Sequence, residues 1–221
     1  MFQIGAIVTS PLLKDIEAEL LRRPLPMNEY RFNSGSGKSQ CFGVVRQRNQ
    51  TYCGSRMNFM RPALYDLLIR LGNQILPPDF SYVSIQVNQN YETKPHKDVG
   101  NKGLSCILGF GDYEGGDLVI ENAEISIKNR LCFFDGSLYT HWTKPYTGNR
   151  FSIVFHTPAR DFREVPVFAF KDVRGELCLT ESLQGVVKTY NKKGECIEST
   201  DGVLTKRKQR CPTLRACTEY I

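Results

Sequence analysis

Three runs of sequence decide the reading of this chain: VNQNYETKPHKDVGN (87–101), GFGDYEGGDLVI (109–120) and FFDGSLYTHWTKPYTGNRFSIVFHT (133–157). His96 and Asp98 are two positions apart in the first. On an extended segment, residues i and i+2 point the same way. An imidazole and a carboxylate are therefore offered to one side, with Lys97 turned away. His141 follows 43 positions after Asp98, and Arg150 and Ser152 stand nine and eleven positions beyond His141.

Two imidazoles and one carboxylate on one face of a metal, with the other face open, suit non-haem Fe(II). The sequence holds three histidines, so the second imidazole comes from His141 or His156. Arg150, Ser152, Val154 and His156 share one face of a strand. His156 then lies about 20 Å beyond Arg150, at roughly 3.3 Å per residue. The turn-rich KPYTGN (144–149) can instead bring His141 back beside Arg150. His141 is therefore taken as the third ligand. A guanidinium grips a carboxylate through two parallel hydrogen bonds, and the Ser152 hydroxyl can add another. The open face of the metal and Arg150 can thus hold the two ends of a dicarboxylic acid.

The H-x-D, the distal His and the R-x-S, in order over about 75 residues, resemble the 2-oxoglutarate/Fe(II)-dependent dioxygenases. The resemblance implies a double-stranded β-helix, or jelly roll, with His96, Asp98 and His141 on iron and Arg150 with Ser152 on 2-oxoglutarate. It also implies O2 activation, decarboxylation of 2-oxoglutarate to succinate and hydroxylation of a C–H bond, with ascorbate as an optional reductant. GDYEGGDL (112–118 and its preceding Gly111) together with the RFS of 150–152 is similar to the TET/J-binding-protein branch, which oxidises the methyl group of a pyrimidine in DNA. The prolyl-hydroxylase branch usually carries Lys where Arg150 stands. Nucleic acid is therefore the favoured partner, and a protein side chain or small metabolite the alternative substrate. A non-catalytic jelly-roll interaction module is the reading left if the His and Asp only hydrogen-bond.

The 221 residues suffice for one domain with a sizeable core and an appendage. Net charge is +6, which allows an anionic partner without requiring one. No apolar run reaches the roughly 20 residues of a membrane span, and MFQIGAIVTSPLLKD (1–15) lacks the basic start of a signal peptide. The eight cysteines form no C-x-x-C pair, and Cys106 and Cys132 lie in apolar runs as buried thiols. That usage fits a reducing, intracellular setting, cytoplasmic or nuclear. The four late cysteines, Cys178, Cys196, Cys211 and Cys217, lack the tight pair typical of zinc sites. Oligomeric state is not legible.

The expected architecture is mainly β with flanking helices. A dioxygenase domain spans 1–160, with helices in 1–80 and the jelly-roll core in 81–160; a partly β extension spans 161–221. PLLKDIEAELLRR (11–23) reads as a helix with Ser10 as its N-cap, and RPALYDLLIRLGNQI (61–75) as a second with Leu64, Leu67, Leu68 and Leu71 on one stripe. The two are expected to brace one face of the sheet. NSGSGKS (33–39) reads as a loop; a phosphate loop would need Gly at position 32, which is Phe32. From Ser81 the period becomes two, and Asn88 lies on the polar face leading to His96. Asn88 either lines the pocket, as a further residue binding 2-oxoglutarate beside Arg150 and Ser152, or faces solvent. Trp142, Tyr91 and Tyr113 could stack on a base or belong to the core. Lys94, Lys97 and the KRKQR cluster (206–210) could meet phosphate or be solvated surface.

Overall fold

The alternating pattern after Ser81 does form the central strands. The computed structural model describes residues 2–28, 35–46 and 52–158, and four strands between 167 and 199. The chain begins β1 (Phe2–Ile7), α1 (Leu12–Arg22), β2 (Gly35–Arg46), β3 (Tyr52–Gly54), α2 (Arg56–Met60) and α3 (Pro62–Ile75). Then come β4 (Ser84–Thr93), β5 (Ser105–Phe110), β6 (Tyr113–Gly115), β7 (Leu118–Ile120) and β8 (Ala123–Ile125). β9 (Arg130–Phe134), β10 (His141–Thr143), β11 (Tyr146–Gly148) and β12 (Phe151–His156) follow. The described strands beyond them are β13 (Val167–Val173), β14 (Glu176–Leu183), β15 (Val186–Tyr190) and β16 (Cys196–Ser199), which form an antiparallel sheet in that order.

Two compact units divide the chain: Met1–Cys41 with Leu67–Arg160, and Phe42–Asp66 with Asp161–Ile221. In the first, the main sheet has the order β1-β9-β5-β12-β4-β2. Strand β2 runs on into the second unit and pairs there with β3. Two smaller sheets, β10-β7-β8 and β11-β6, complete the first unit. Strand neighbours far apart in sequence, such as β12 between β4 and β5, give the crossed-over connectivity of the expected jelly roll.

Alternation gives the main sheet two faces. One carries Ile85, Val87, Cys106, Leu108, Phe110, Phe151, Ile153 and Phe155, all essentially inaccessible to solvent. Helix α3 lies over this side: a Cβ on Gly72 would meet the Tyr82 hydroxyl and the Phe155 ring. The other face looks to the small sheet, and Ile107, Leu118, Ile120, Ile125, Ile127, Cys132 and Phe134 pack together there. The rest of that face is the polar cavity described below.

Three local expectations are corrected. The segment 2–7 forms a strand, β1, because β9 offers it an edge; Ile4 and Ile7 remain exposed, so its own pattern did not reveal it. The supposed loop at 33–39 gives way to β2 from Gly35 onward, where pairing with β4 overrides the low strand propensity of glycine and serine. At α1 the capping position is Pro11, although the Ser10 hydroxyl does accept the Leu12 amide at 3.3 Å. In α3, Leu64, Leu68 and Leu71 of the expected stripe are fully buried, and Leu67 is half-buried. Among the described residues no helix is long and apolar enough to cross a membrane. The KRKQR cluster and the side chains of the late cysteines lie outside the described residues.

Candidate metal centre and anion pocket

His96 lies beyond the end of β4 and His141 opens β10, and the two backbones bridge each other. The His141 amide donates to the His96 carbonyl at 2.9 Å and the His96 amide to the His141 carbonyl at 3.2 Å. This antiparallel bridge sets the rings 4.4 Å apart. Asp98 is held two residues further on, where its amide donates to the Gly136 carbonyl at 2.8 Å. The extended i, i+2 geometry read from H-x-D thus brings the carboxylate to the same side as the imidazoles.

The tautomers follow from the hydrogen bonds. His96 Nδ1 lies 2.7 Å from the Lys94 carbonyl, and His141 Nδ1 lies 3.0 Å from the Tyr139 carbonyl. A carbonyl can only accept, so each Nδ1 carries a proton, and in the neutral imidazole Nε2 is then the nitrogen with the lone pair. Those Nε2 atoms stand 3.7 Å (His96) and 3.6 Å (His141) from the two oxygens of Asp98. Such distances are too long for hydrogen bonds between these groups. One donor atom from each of the three residues lies within 4.8 Å of the others, a spacing compatible with a single cation. His156 lines the same cavity but is not part of this cluster.

Packing supports the arrangement. Phe134 meets the His141 ring edge to face at 4.9 Å. A Cβ on Gly136 would stand 3.2 Å from His141 Cε1 and 3.4 Å from Asp98 Oδ2, so this glycine gives the donors their room. Asn101 donates from Nδ2 to Asp98 Oδ2 at 3.3 Å, a weak orienting contact.

The cavity continues from the triad along the inner face of β12, past Arg150, Ser152, Val154 and His156. Arg150 is 2% exposed, and among the described residues neither its Nε nor its Nη2 has a hydrogen-bond partner. Its guanidinium carbon lies 5.5 Å from the ring centres of both Tyr113 and Tyr146. Burial lowers the Arg150 pKa from its usual value, opposed by the tyrosines and Asp117. Burial in turn raises the Tyr113 hydroxyl, while the neighbouring Arg150 cation pulls it back. A buried cation with unused donors is costly alone, and an anion would satisfy it.

Asn88 donates from Nδ2 to Ser152 Oγ at 3.1 Å and lines the cavity. The Ser152 hydroxyl therefore retains its own proton to donate. Tyr91 also lines the cavity, is 3% exposed, and has a hydroxyl without a hydrogen-bond partner. Thr93 and Thr143 bond to each other at 2.9 Å on the same wall. The sequence marked Tyr91 and Tyr113 only as aromatic residues near the pocket, without the hydroxyl and cation roles seen here. Trp142 is placed by alternation on the opposite side of β10 from His141 and Thr143, and it does not line the cavity. Lys94 and Lys97 are exposed.

No protein-family model matches this chain, and no curated protein does. Solved structures to which this chain is similar in overall fold include NgTET1 in complex with 5mC DNA, at 14% identity and a TM-score of 0.49, covering 71% of each chain. A prolyl-4-hydroxylase from Pseudomonas putida is similar at 16% identity and a TM-score of 0.46, over 72% of this chain and 92% of that one. A 2OG-Fe(II) oxygenase family oxidoreductase from Burkholderia pseudomallei is similar at 12% identity and a TM-score of 0.45, over 70% and 82%.

Proposed function

We propose that this chain is an Fe(II)- and 2-oxoglutarate-dependent dioxygenase that hydroxylates a C–H bond. One observation carries the reading: a single cavity joins a His–Asp–His donor cluster to a buried arginine with two unpartnered donor nitrogens. Neither half explains the other unless a molecule spans them. A metal-chelating group with a carboxylate at its far end has that form, and 2-oxoglutarate is such a molecule.

In this reading His96 Nε2, His141 Nε2 and the Asp98 carboxylate hold iron. Arg150 takes the distal carboxylate of 2-oxoglutarate through Nε and Nη2, and Ser152 donates its hydroxyl proton to the same group. Asn88 orients Ser152 rather than meeting the ligand first. The guanidinium packs against the edge-to-face pair of Tyr113 and Tyr146, 5.5 Å from each ring centre, a contact that a lysine ammonium would not fit equally well. Ile107, Leu118 and Phe134 give the cavity apolar walls that keep water from the reacting centre. Bound iron supplies O2 activation: 2-oxoglutarate yields two electrons on becoming succinate and CO2, and the substrate C–H bond yields two on becoming C–OH.

For the substrate we propose the methyl group of a pyrimidine base in nucleic acid, on the likeness of GDYEGGDL and the R-F-S strand to the TET/J-binding-protein pattern. The buried thiols Cys106 and Cys132 fit an intracellular enzyme. Incubation with Fe(II), ascorbate, 2-oxoglutarate and pools of methylated DNA, RNA or peptides tests both levels. Succinate release with a gain of one oxygen in the DNA or RNA pool is expected. A gain confined to peptides would overturn the substrate, and no 2-oxoglutarate binding by the metal-loaded protein would overturn the class.

A further inference from the structure

We infer that Asn90 is a positioning residue for the Arg150 anion subsite, through a left-handed bulge that turns β4 over and a two-point clamp on the Arg150 backbone. The ligand named in its test rests on the proposed function; the clamp itself does not.

The parity of β4 changes at Asn90. Gln86 and Asn88 line the cavity, as alternation requires, but so do Tyr91 and Thr93. A regular strand would send Asn90 and Glu92 inward instead. Asn90 has φ +49°, the left-handed region that asparagine enters more readily than most residues, and its side chain is exposed. The inserted half-turn puts Tyr91 and Thr93 inside and leaves Glu92 exposed. Without it, the Glu92 carboxylate would face the cavity and compete for the buried cation.

The same residue fixes Arg150. In a regular antiparallel ladder, every second opposed pair exchanges two backbone hydrogen bonds, and the Asn90 amide bond to Arg150 marks this as such a pair. Here the Asn90 amide donates to the Arg150 carbonyl at 2.8 Å, but the Arg150 amide donates to Asn90 Oδ1, also at 2.8 Å. The side chain replaces a backbone carbonyl that has turned towards β2; a Cβ on Gly37 would collide with that carbonyl oxygen. The Arg150 N–H needs an acceptor, so Asn90 Oδ1 faces it and Nδ2 turns to Asn149 Oδ1 at 3.4 Å. Asparagine thus tolerates the backbone angle and supplies the missing acceptor. Glycine would satisfy only the first need.

The test compares Asn90→Gly, which keeps the backbone angle, with Asn90→Asp, which keeps an acceptor. Amide hydrogen exchange of Arg150 in the ligand-free protein reads the clamp directly, and faster exchange is expected in Asn90→Gly than in wild type or Asn90→Asp. Calorimetric titration of Mn(II)-loaded protein with 2-oxoglutarate reads the subsite. Affinity should fall about five- to tenfold in Asn90→Gly, the scale of one hydrogen bond, and recover in Asn90→Asp, with Mn(II) affinity unchanged throughout. Unchanged Arg150 exchange, or equal losses of Mn(II) and 2-oxoglutarate affinity, would overturn the inference. Wild-type protein that ignores 2-oxoglutarate while Asn90→Gly still frees the Arg150 amide would count against the function alone.

Discussion

The Arg150 side chain lies across Gly116, where a Cβ would stand 2.8 Å from Nε and 2.9 Å from Cδ. Gly116 also has φ +70°, so an L side chain there is strained as well as crowded. The Gly116→Ala variant is expected to lose roughly 1–3 kcal/mol of stability and to displace the guanidinium. Its 2-oxoglutarate affinity should fall while Mn(II) affinity holds. Paired titrations of the two ligands check this, and equal losses would place the damage elsewhere.

The donor cluster includes His141 and excludes His156, although both line the cavity. His141→Ala should therefore bind Fe(II) or Mn(II) roughly 100-fold less tightly, whereas His156→Ala should retain it. Metal should also raise the melting temperature of wild type and lose that effect after chelation, since a ligand selective for the native state stabilises it. A His156→Ala variant without metal binding would reverse the assignment of the third ligand.

Arg150→Lys keeps a positive charge but not the fork of donors or the planar contact with Tyr113 and Tyr146. It should lower 2-oxoglutarate affinity by about 10- to 150-fold, corresponding to roughly 1.5–3 kcal/mol for a charge-assisted contact. Metal affinity should not change. Titration of the metal-loaded variant decides, and wild-type affinity would remove Arg150 from the subsite.

Burial pushes the Cys132 thiol up to about 11 and the Cys106 thiol higher still. The thiolate is the reactive form, so both should resist alkylation at neutral pH. Native-state labelling followed by peptide mass spectrometry should show Cys41, which is partly exposed, modified well before either. Rapid labelling of Cys106 in folded protein would contradict the packing of β5 and β9.

The Tyr82 hydroxyl is pushed up to about 12 by burial. Its unfolded counterpart ionises near pH 10, so between about 10 and 12 the unfolded chain loses the proton first. Stability from this residue is therefore fully present below pH 10 and declines as pH rises through about 12, by roughly 2–3 kcal/mol at most. Tyr82→Phe should flatten that decline in denaturation midpoints measured across the range. An identical alkaline profile in the variant would refute the link.

Local chemistry determined much of this protein before any folding was considered. The i, i+2 spacing of His96 and Asp98 fixed their common side, because a strand repeats every two residues. The six residues from Arg150 to His156 favoured His141 as the third donor, because an extended chain advances a fixed distance per residue. The stripe on α3 and the alternation of β4 and β12 likewise follow from backbone period. Tertiary structure alone decided the rest. It bridged the backbones of His96 and His141 so that their rings lie side by side, and it packed Arg150 against the Tyr113 and Tyr146 rings. It also recruited β1 and β2 into the sheet and reversed the faces of β4 at Asn90. Those outcomes depend on partners distant in sequence and on a single backbone angle, neither of which residue spacing encodes.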